Sequence, residues 1–504
     1  MRSTFIFFYI SINILMLFPV AAQQGIQNKT IINTPDYVLK GELTIENYQT
    51  YVEVPFEVPI DIKRLTIEVS YSGKDQRTTI DLGLEDPKKF RGWSGGSKNK
   101  ITLSMEDATP GYLPGELPSG KWKLLLGVPN IRKGIVSKYE ASIYLEKNSA
   151  ITEFFDKPIN SKEGWYRGDL HMHTGNSDGN CLSQSGQKIP CPVYRTVEAA
   201  AERGLDFIAI TEHNATSHAN SLRELQTAFD KMLLVAGREI TTFYGHANVY
   251  GPTDFIDFRM SDSSSMQAKK WMDVVNSKGG IVSINHAGVP SGEACMGCGW
   301  QIEDLPNGTV SSVEIINGGI MKVSGSADSP FQGWKQWYKM LNSGQYVTAI
   351  GGSDNHTAES KKEIVGAIGY PTTVIFMKEL SVKGMIDGIR SGRVFIDIEG
   401  KSDRFIDIFS TNGNEEAKMG EKLNITSKNE IQLTVSVEGA LGASIEFIVD
   451  GALQSEMTQS IKKNKEIVKI DWQYVPGSKW IHVKIRDENG KLILVSNPIY
   501  LVKN

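Results

Sequence analysis

The sequence predicts an α/β domain that lies between two β-sandwich domains. The length of 504 residues allows about three domains of ordinary size. Apolar and polar residues alternate at both ends of the chain, over residues 23–155 and 402–504, as they do in half-buried strands. Over residues 160–400, apolar strand-like runs instead alternate with helical segments, which is typical of α/β folds.

The first 22 residues predict a secretory signal peptide. Arg2 precedes an apolar run from Phe5 to Val20, and the small residues Ala21 and Ala22 close that run. We therefore expect cleavage after Ala22 and a secreted or periplasmic protein, with an uncleaved membrane anchor as the alternative. No later segment is long and apolar enough to predict a transmembrane anchor.

The charge balance argues against one broad class of function. The chain has 54 Lys and Arg residues and 58 Asp and Glu residues, which gives a net charge of −4. Loss of Arg2 with the signal peptide leaves 53 basic residues and a net charge of −5. General nucleic-acid binding normally requires a basic face, so we do not expect it.

The first domain, residues 23–155, is predicted to be an antiparallel β-sandwich. Its apolar and polar residues alternate, as over residues 51–58, and turn signals separate the runs. Trp93, Tyr112 and Trp122 are candidates for a platform that binds a glycan or another surface ligand. For Trp122, the surrounding apolar residues favour packing in the core.

One short segment of the middle domain has the composition of a metal site. Residues 169–180 read DLHMHTGNSDGN. Residues two apart in an extended strand point to the same face, so His171 and His173 can converge on one cation while Met172 packs behind them. Asp178 follows in the loop and can supply a carboxylate to the same site.

Four further apolar runs of the middle domain also end in residues that bind metals. The C-terminal ends of strands are where α/β enzymes assemble their sites, so this placement predicts convergence. The residues are His213 after 205–211, Glu239 and His246 after 232–236, His286 after 280–284, and Asp354 and His356 after 346–350.

Helices are predicted between these strands. Periodic apolar residues and stop signals place them at Arg195–Arg203, Ala219–Lys231 and Lys335–Leu341. The aromatic stripe of the last helix, at Trp334, Trp337 and Tyr338, favours core packing over a substrate platform.

All four cysteines, Cys181, Cys191, Cys295 and Cys298, lie in the middle domain. In an oxidising compartment we expect local disulfides that hold the loops next to the ligand candidates. A zinc or redox role for the Cys-x-x-Cys segment is the alternative, although no second thiol pair stands at zinc-ribbon spacing.

The last domain, residues 402–504, is predicted to be a second, immunoglobulin-like β-sandwich. Apolar and polar residues alternate over 430–437 and again over 480–485. His482 lies in the second of these strands without a ligand-type residue nearby, which favours a structural or surface role.

Five segments of the middle domain resemble the motifs of a known superfamily. HMHTGNSDG, ITEHN, GREI followed by GHANV, INHAG and GGSDNH resemble, in order and spacing, the metal-binding motifs of the polymerase and histidinol phosphatase (PHP) superfamily. Within it they resemble the CehA/McbA-type metallohydrolases. The resemblance covers about residues 165–400, and it implies a distorted (β/α)7 barrel that holds two or three divalent ions.

The same resemblance implies three groups of ligands. It places His171, His173, Glu239 and Asp354 around one ion, Glu239, His246 and His286 around a second, and Asp178, His213 and His356 around a third. Glu239 would then bridge two ions. A mixture of imidazole and carboxylate does not select one metal, so Zn, Mn and Fe are all candidates.

Four residues near the ligands are candidates for contact with a substrate. His218 is a candidate general acid for the leaving group, with a surface histidine as the alternative. Arg238, next to Glu239, and Arg393 are candidate clamps for an anion, although such residues are more often structural. Asn317 ends an apolar strand and could reach the site or cap a turn.

Together these patterns predict a secreted, metal-dependent hydrolase. The favoured reaction is attack of metal-bound hydroxide on a phosphomonoester or phosphodiester, with Glu239, Asp354 and His218 as catalytic residues. The CehA/McbA resemblance leaves carboxyl ester or carbamate hydrolysis as a first alternative. A second alternative is a non-catalytic protein whose sandwiches bind a surface ligand. The near-complete set of metal ligands argues against it, because a metal site that no longer functions is expected to lose some of its ligand residues.

Overall fold

In a computed structural model, residues 34–147, 153–293, 295–426 and 429–503 form a mixed α/β protein with thirty β-strands and six α-helices. The expected signal peptide, residues 1–22, lies outside these described residues. Within them, no helix combines the length and the apolar character that a membrane crossing needs. Short 3-10 helices lie at Ile45–Asn47, Gly95–Ser97 and Ser455–Met457.

Eight strands come before the metal-binding motifs. They are β1 (Tyr37–Leu43), β2 (Tyr51–Val58), β3 (Arg64–Tyr71), β4 (Thr79–Glu85), β5 (Phe90–Trp93), β6 (Lys100–Ser104), β7 (Gly120–Asn130) and β8 (Ser137–Glu146). They form two four-stranded antiparallel sheets, in the orders β1-β8-β3-β6 and β2-β7-β4-β5. Side chains from both sheets share one apolar core.

The alternation that predicted these strands decides which side chains enter that core. In β2, Val54, Phe56 and Val58 point inward while Glu53 and Glu57 remain exposed. Trp122 of β7 is buried in the core, as predicted. Its Nε1 donates a hydrogen bond to the carbonyl oxygen of Pro118 at 2.8 Å, so the polar edge of the indole is satisfied.

Eleven strands and six helices form the middle of the chain. The strands are β9 (Gly164–Asp169), β10 (Asn180–Leu182), β11 (Lys188–Pro190), β12 (Phe207–His213), β13 (Leu233–Thr242), β14 (Gly245–Tyr250), β15 (Ile281–Ile284), β16 (Ser312–Asn317), β17 (Thr348–Gly352), β18 (Thr372–Met377) and β19 (Val394–Asp397). The helices are α1 (Val193–Glu202), α2 (His218–Gln226), α3 (Ser265–Ser277), α4 (Gly318–Ser324), α5 (Trp334–Asn342) and α6 (Val382–Ser391).

Nine of these strands lie in the order β17-β16-β15-β14-β13-β12-β9-β18-β19. Four of the eight neighbouring pairs are parallel, but β14 runs antiparallel to β13 and β15, and β18 runs antiparallel to β9 and β19. The carboxyl ends of parallel strands emerge at the same edge of a sheet. The segments that follow β9, β12, β15 and β17 therefore emerge on one side of the molecule.

Hydrogen bonds bring the two ends of the strand series β9 to β17 together. Beyond β17, the amide of Asp354 donates to the carbonyl oxygen of His171 at 2.8 Å, and the amide of His173 donates to that of Asn355 at 2.9 Å. The Gly351 amide also donates to Oγ1 of Thr373 in β18 at 2.8 Å. The segments that follow the first and last strands of the series thus lie side by side, while β18 pairs with β9.

The three predicted helices are present as α1, α2 and α5, and they agree with the prediction except at one end. Helices α1 and α5 begin and end within two residues of the predicted bounds, but α2 stops at Gln226 and not at Lys231. The Gln226 side chain donates to the carbonyl oxygens of Phe229 and Met232 and accepts a hydrogen bond from the amide of Leu234. These bonds hold a turn that leads directly into β13.

Eleven strands form the last part of the chain. They are β20 (Phe405–Asn412), β21 (Glu415–Lys418), β22 (Lys422–Asn424), β23 (Glu430–Glu438), β24 (Ser444–Val449), β25 (Ala452–Leu453), β26 (Gln459–Ser460), β27 (Lys465–Gln473), β28 (Trp480–Arg486), β29 (Leu492–Ser496) and β30 (Ile499–Val502). One sheet has the order β21-β20-β23-β27. The other runs β29-β28-β24-β25 and continues the middle sheet, because β29 pairs with β19.

Aromatic side chains fill the junction between the middle and the last part of the chain. Trp480 is buried, stacks on Tyr338 of α5 with ring centroids 5.2 Å apart, and donates from Nε1 to Oδ1 of Asn342 at 2.9 Å. His482 is also buried, and its Nε2 lies 3.0 Å from Oη of Tyr338. The core packing predicted for the aromatic stripe is confirmed, since one ring is buried and two are half-buried against the same core, at Trp337, Trp334 and Tyr338. His482 has a structural role.

Candidate metal centre

The structure brings all nine ligand candidates together at the ends of six strands. His171 and His173 follow β9, His213 ends β12, and the other residues lie in or after β13, β14, β15 and β17. Asp178 reaches the same place from the loop after His173. The nine residues are His171, His173, Asp178, His213, Glu239, His246, His286, Asp354 and His356.

Glu239 of β13 lies at the centre of this group. Its Oε1 lies 3.1 Å from Nε2 of His286 and 3.3 Å from Nδ1 of His246. Its Oε2 lies 2.9 Å from Nδ1 of His213 and 3.6 Å from Nε2 of both His171 and His173. One buried carboxylate therefore contacts five imidazoles, which is the arrangement that a bridging ligand requires.

The two other carboxylates extend the group toward solvent. Asp354 Oδ1 lies 3.4 Å from Nε2 of His171 and 3.2 Å from Nε2 of His173. Asp178 lies 3.2 Å from Nε2 of His356 and 3.7 Å from Nε2 of His213. The exposed fraction of the side chain rises from 1% for Glu239 to 19% for Asp354 and 55% for Asp178, so the centre opens at its Asp178 end.

Hydrogen bonds at Nδ1 orient the imidazoles. Nδ1 of His171 lies 2.9 Å from Oε1 of Glu314, Nδ1 of His286 lies 3.3 Å from the carbonyl oxygen of Cys298, and Nδ1 of His356 lies 2.9 Å from that of Asp354. These oxygens only accept, so Nδ1 must carry the proton and Nε2 must carry the lone pair. Each of these histidines is thus fixed in the tautomer that binds a metal through Nε2.

Several buried atoms of the centre lack a partner among the described residues. Nε2 of His171, His173 and His246 and Oε2 of Glu239 are buried and make no hydrogen bond. Buried polar atoms are normally satisfied, because an unmade bond costs about 1–3 kcal/mol. Lone pairs of nitrogen and oxygen that face one another without a donor are what a divalent cation would satisfy, so the residues present fit a metal.

The ligand atoms form overlapping groups within 4.8 Å of one another. The groups are His171, His173 and Asp354; His171, Glu239 and His286; His246, His286 and Cys298; and His173, Asp178, His213 and His356. Cys298 is paired with Cys295, so its sulfur is not a thiolate. His171 has only Nε2 to offer because Nδ1 faces Glu314, and it can therefore serve one ion at a time.

The backbone is unusual at three points of the centre. Asn214, His286 and Asp354 have φ angles of 52°, 28° and 53°, in the left-handed region that non-glycine residues rarely adopt. Asn214 directly follows β12, and His286 and Asp354 are the second residues after β15 and β17. Such conformations cost free energy and cluster at functional sites, so this geometry is consistent with selection for the position of the side chains.

Electrostatic interactions keep the carboxyl groups ionised. Burial alone would raise the pKa of Glu239, but electrostatic attraction to the imidazoles of His171, His213 and His246 outweighs it and holds the pKa well below its usual range. Burial of Asp354 is likewise outweighed, by His171 and His173. Burial lowers the pKa of His173 to about 4 despite the nearby carboxylates. Neutral His173 beside ionised carboxylates is in the form that binds a metal. His171 and His213 would lose a proton on binding one, because the carboxylates outweigh burial and raise their pKa values.

Glu314 of β16 contacts the ligand candidates, and the sequence interpretation missed it. Its side chain is buried, with Oε1 on Nδ1 of His171 and Oε2 accepting from the amide of His286 at 3.1 Å and from Nδ2 of Asn317 at 3.0 Å. It thus supports two ligands from outside the ligand group. A carboxylate in the middle of the apolar run 312–317 was the available signal, because an acidic residue is rarely buried without a partner.

The Glu314→Gln variant is expected to bind metal about 10–100-fold more weakly, since Gln removes the charge that makes His171 a stronger ligand. Competition with a chromogenic chelator measures this affinity. Glu303→Gln, at an exposed glutamate paired with Lys339, is the matched control and should bind as tightly as the natural protein. Equal affinities for the two variants would contradict the supporting role of Glu314.

Of the predicted substrate contacts, Asn317 lies at the centre and the two arginines do not. Nδ2 of Asn317 donates to Oδ2 of Asp354 at 3.2 Å, while its Oδ1 caps α4 at the amide of Ile320. Arg238 is buried and donates to the carbonyl oxygens of Pro252 and Asp254. Neighbours on a strand face opposite sides, so the side chain of Arg238 points away from that of Glu239.

Arg393 lies at the junction with the last part of the chain. It donates to Oδ2 of Asp407 at 2.7 Å, and its guanidinium lies over the rings of Trp165 and Phe376. This position gives Arg393 a structural contact between β19 and β20 in place of the anion-binding role considered for it.

His218 is not among the clustered ligands. It begins α2, its side chain is wholly buried, and burial, helped by the charge of Arg238, lowers its pKa to about 4. Near neutral pH the ring is therefore uncharged and has no proton to give as an imidazolium. This placement disagrees with the general-acid role that the loop sequence suggested, because a helix that packs against β13 covers the residue.

His218 should instead make the free energy of unfolding depend on pH. Unfolded His218 binds a proton below about pH 6.5, whereas the folded residue binds it only near pH 4, so stability falls as the pH falls through that window. The difference in unfolding free energy between the natural protein and His218→Phe should change by about 2–3 kcal/mol from pH 7 to pH 4. A constant difference, with a 10²–10⁴-fold loss of turnover on esters with poor leaving groups, would support the acid role instead.

The two cysteine pairs lie at disulfide distance beside the centre. Cys181 and Cys191 join β10 to β11 just after the loop of Asp178, with Cα atoms 4.9 Å apart. Cys295 and Cys298 have Cα atoms 5.6 Å apart, and the carbonyl oxygen of Cys298 is the partner of His286. Both pairs therefore hold segments that position ligands, as expected.

Comparisons with known proteins give little support for a family. No protein-family model matches the chain, and no curated protein matches it. A presumed metal-dependent phosphoesterase from Bifidobacterium adolescentis is 16% identical over 37% of this chain and 87% of its own, with a TM-score of 0.26. A xylanase from Cellvibrio japonicus in complex with xylopentaose is 7% identical over 53% of this chain and 48% of its own, with a TM-score of 0.13. Neither TM-score supports a conclusion.

Proposed function

We propose that the protein is a metal-dependent phosphoesterase with a PHP-like catalytic domain. The observation that carries this proposal is the convergence of six histidines and three carboxylates, with Glu239 between them and several lone pairs unsatisfied. A structural metal site is closed, but a catalytic one keeps positions open to substrate. Here the Asp178 end of the centre is exposed, which favours catalysis.

The proposal includes an architecture of a distorted (β/α)7 barrel between two β-sandwiches. The seven strands β9 and β12 to β17 would form the barrel, and the hydrogen bonds between the segments after β9 and β17 support its closure. The paired sheets of the first part and of the last part each enclose an apolar core, which supports the two sandwiches. The cysteine pairs at disulfide distance support an exported protein.

The proposal keeps the three ligand sets that the PHP resemblance implies. His171, His173, Glu239 and Asp354 would hold one divalent ion, Glu239, His246 and His286 a second, and Asp178, His213 and His356 a third. Bound ions of this kind make water nucleophilic near neutral pH and neutralise phosphoryl oxygens.

Residues of the chain would position the metal ligands and leave one side of the centre open to the substrate. Glu239 holds the inner ligands at fixed spacing because Asn285 donates to its Oε1 at 2.9 Å. Asn317 keeps Asp354 in place through its hydrogen bond to Oδ2. Asp178, His213 and His356 are the more exposed ligands, so a phosphoester would approach on their side. An open set of oxygen and nitrogen ligands around several cations suits a substrate that offers several anionic oxygens.

Metal analysis followed by a substrate panel tests this function. Protein purified without chelator and reconstituted with Zn, Mn or Fe should contain two to three ions per chain. It should hydrolyse phosphomonoesters or phosphodiesters faster than carboxyl esters or carbamates with the same nitrophenolate leaving group. Because every substrate releases the same nitrophenolate, differences in rate do not arise from the leaving group.

Two outcomes would contradict the proposal. Fewer than about one ion per chain after reconstitution would remove the basis for metal-dependent chemistry. Full metal content with a preference for carboxyl esters or carbamates would keep a hydrolase and reject the phosphoester. Full metal content with no hydrolysis of any ester would favour the non-catalytic alternative.

A further inference from the structure

The outer face of the sheet β2-β7-β4-β5 carries a cavity that the metal chemistry does not use. It has a volume of about 590 Å³, and its lining combines aromatic, polar and aliphatic side chains. The residues used below are Gln49, Tyr51, Asp81, Phe90, Trp93 and Leu125. The cavity lies in the first part of the chain, away from the strand ends that carry the ligands.

Trp93 lies flat on this sheet because two neighbouring positions lack a side chain. In the register of the sheet Trp93 is opposite Gly83, and a Cβ atom at Gly83 would collide with the indole. A Cβ atom at Gly127 on β7 would lie 2.7 Å from Cη2 of the same ring. Gly83 and Gly127 thus provide a flat bed, and one face of the indole is left toward the cavity.

Tyr51 and Phe90 stand beside this flat ring. The centroids of the Tyr51 and Trp93 rings are 5.8 Å apart and their planes meet at 69°, so the phenol forms a wall at the edge of the indole. The exposed fraction is 74% for Tyr51 and 51% for Phe90. Large aromatic side chains are seldom this exposed together on a sheet unless they contact a ligand or a partner.

The polar and charged residues that line the cavity indicate which class of ligand it can bind. None of the ten described residues that line it is Lys or Arg, which disfavours phosphate, nucleic acid and acidic glycans. The Asp81 carboxylate accepts no hydrogen bond from any residue that the structure describes, whereas Nε2 of the nearby Gln49 donates to Oη of Tyr48 at 3.2 Å. A flat apolar ring next to a free carboxylate matches a ligand with apolar faces and many hydroxyl donors.

We propose that this cavity binds a neutral carbohydrate. The C–H groups on one face of a pyranose ring would stack on the indole of Trp93, since the negative face of the aromatic ring attracts them. The Tyr51 phenol would contact the edge of the sugar, and hydroxyl groups of the sugar would donate hydrogen bonds to the Asp81 carboxylate. This binding site is separate from the metal centre and does not depend on the proposed hydrolase activity.

Affinity electrophoresis of the full chain in gels that contain one polysaccharide each tests the proposal. The panel consists of neutral α- and β-glucans, xylan and galactomannan, with heparin and polygalacturonate as acidic counterparts. At least one neutral polymer should retard the natural protein. Trp93→Ala and Tyr51→Ala should each weaken this retardation at least about tenfold, as expected for an aromatic contact at the centre of a binding site.

Two controls separate binding from folding and from catalysis. Tyr194→Ala removes an aromatic side chain of 47% exposure on α1, outside the cavity, and should bind like the natural protein. Glu239→Gln, which disables the metal centre, should also retain binding. Loss of Trp93 uncovers Gly83 and Gly127 and can weaken the sheet. Tyr51 is so exposed that the Tyr51→Ala variant should keep the fold intact, so it tests binding independently.

Each remaining outcome would overturn the proposal. Absence of retardation by every neutral polymer would mean that Trp93 only covers the two glycines. Retardation by acidic polymers alone would assign the surface to a different ligand. Retardation that survives both Trp93→Ala and Tyr51→Ala would place a carbohydrate site elsewhere on the chain.

Discussion

The Glu239→Gln variant is expected to lose most of its bound metal and at least about 10³-fold of its turnover on phosphoesters. Glu239 is the only one of the nine ligand candidates that contacts five imidazoles, and both of its oxygens take part. The amide keeps the shape of the side chain but removes the negative charge between two cations. It also places an NH2 group, which cannot bind a metal, at one of the two ligand positions.

Elemental analysis and steady-state kinetics on the same protein samples measure this effect. Glu303→Gln is the matched control, because it makes the same chemical change at an exposed glutamate of 70% side-chain exposure. Far-UV circular dichroism shows whether both variants are folded. Unchanged metal content and unchanged turnover in a folded Glu239→Gln protein would refute the assignment of the centre.

The Trp480→Ala variant is expected to lose about 3–5 kcal/mol of unfolding free energy, the range measured for removal of a large buried aromatic side chain. Trp480 is wholly buried between β28 and α5, stacks on Tyr338 and donates to Asn342. Truncation leaves a cavity and an unpaired amide oxygen on Asn342. The contact lies between the middle and last parts of the chain, so their cooperativity should also weaken.

Urea unfolding followed by near-UV circular dichroism measures the loss. The change should appear as a lower midpoint, with an early transition if the last part of the chain unfolds by itself. Phe255→Ala, at a phenylalanine of 65% exposure, is the control and should shift the midpoint very little. Equal midpoints for Trp480→Ala and Phe255→Ala would contradict the structural role of this junction.

The convergence of the nine ligand candidates could be predicted from sequence because each is close to the end of an apolar strand. His171 and His173 share a face by strand periodicity, and the hydrogen bonds between the segments after β9 and β17 place Asp354 beside them. The same periodicity could have placed Arg238 on the face opposite Glu239. The sequence interpretation considered Arg238 by its proximity along the chain and so gave it a role that its contacts do not support.

The burial of His218 could not be read from local sequence. The pattern Thr-Ser-His suggested an exposed loop, but α2 begins at this residue and packs against β13. Burial of a polar residue at a helix start depends on how the helix lies on the sheet, which is tertiary information. Glu314 differs, because its signal was local and lay in an otherwise apolar strand.

The alternating patterns of the first and last parts predicted strands, but not how the last part joins the middle. Pairing of β19 with β29 connects residues about a hundred positions apart, and no sequence pattern marks such a partner. The aromatic residues of β28 gave a weak indication of this junction. Trp480 and His482 are both buried, which is not expected on a free sheet surface.

The pairing of β19 with β29 also has a consequence for synthesis of the chain. When β19 has left the ribosome, its pairing strand near residue 494 has not yet been made, so one edge of a large sheet is open for the time needed to add about a hundred residues. Open edges of apolar strands invite pairing with other chains. A protein shortened to end near residue 400 would keep that edge permanently, and we expect it to aggregate even with every metal ligand present.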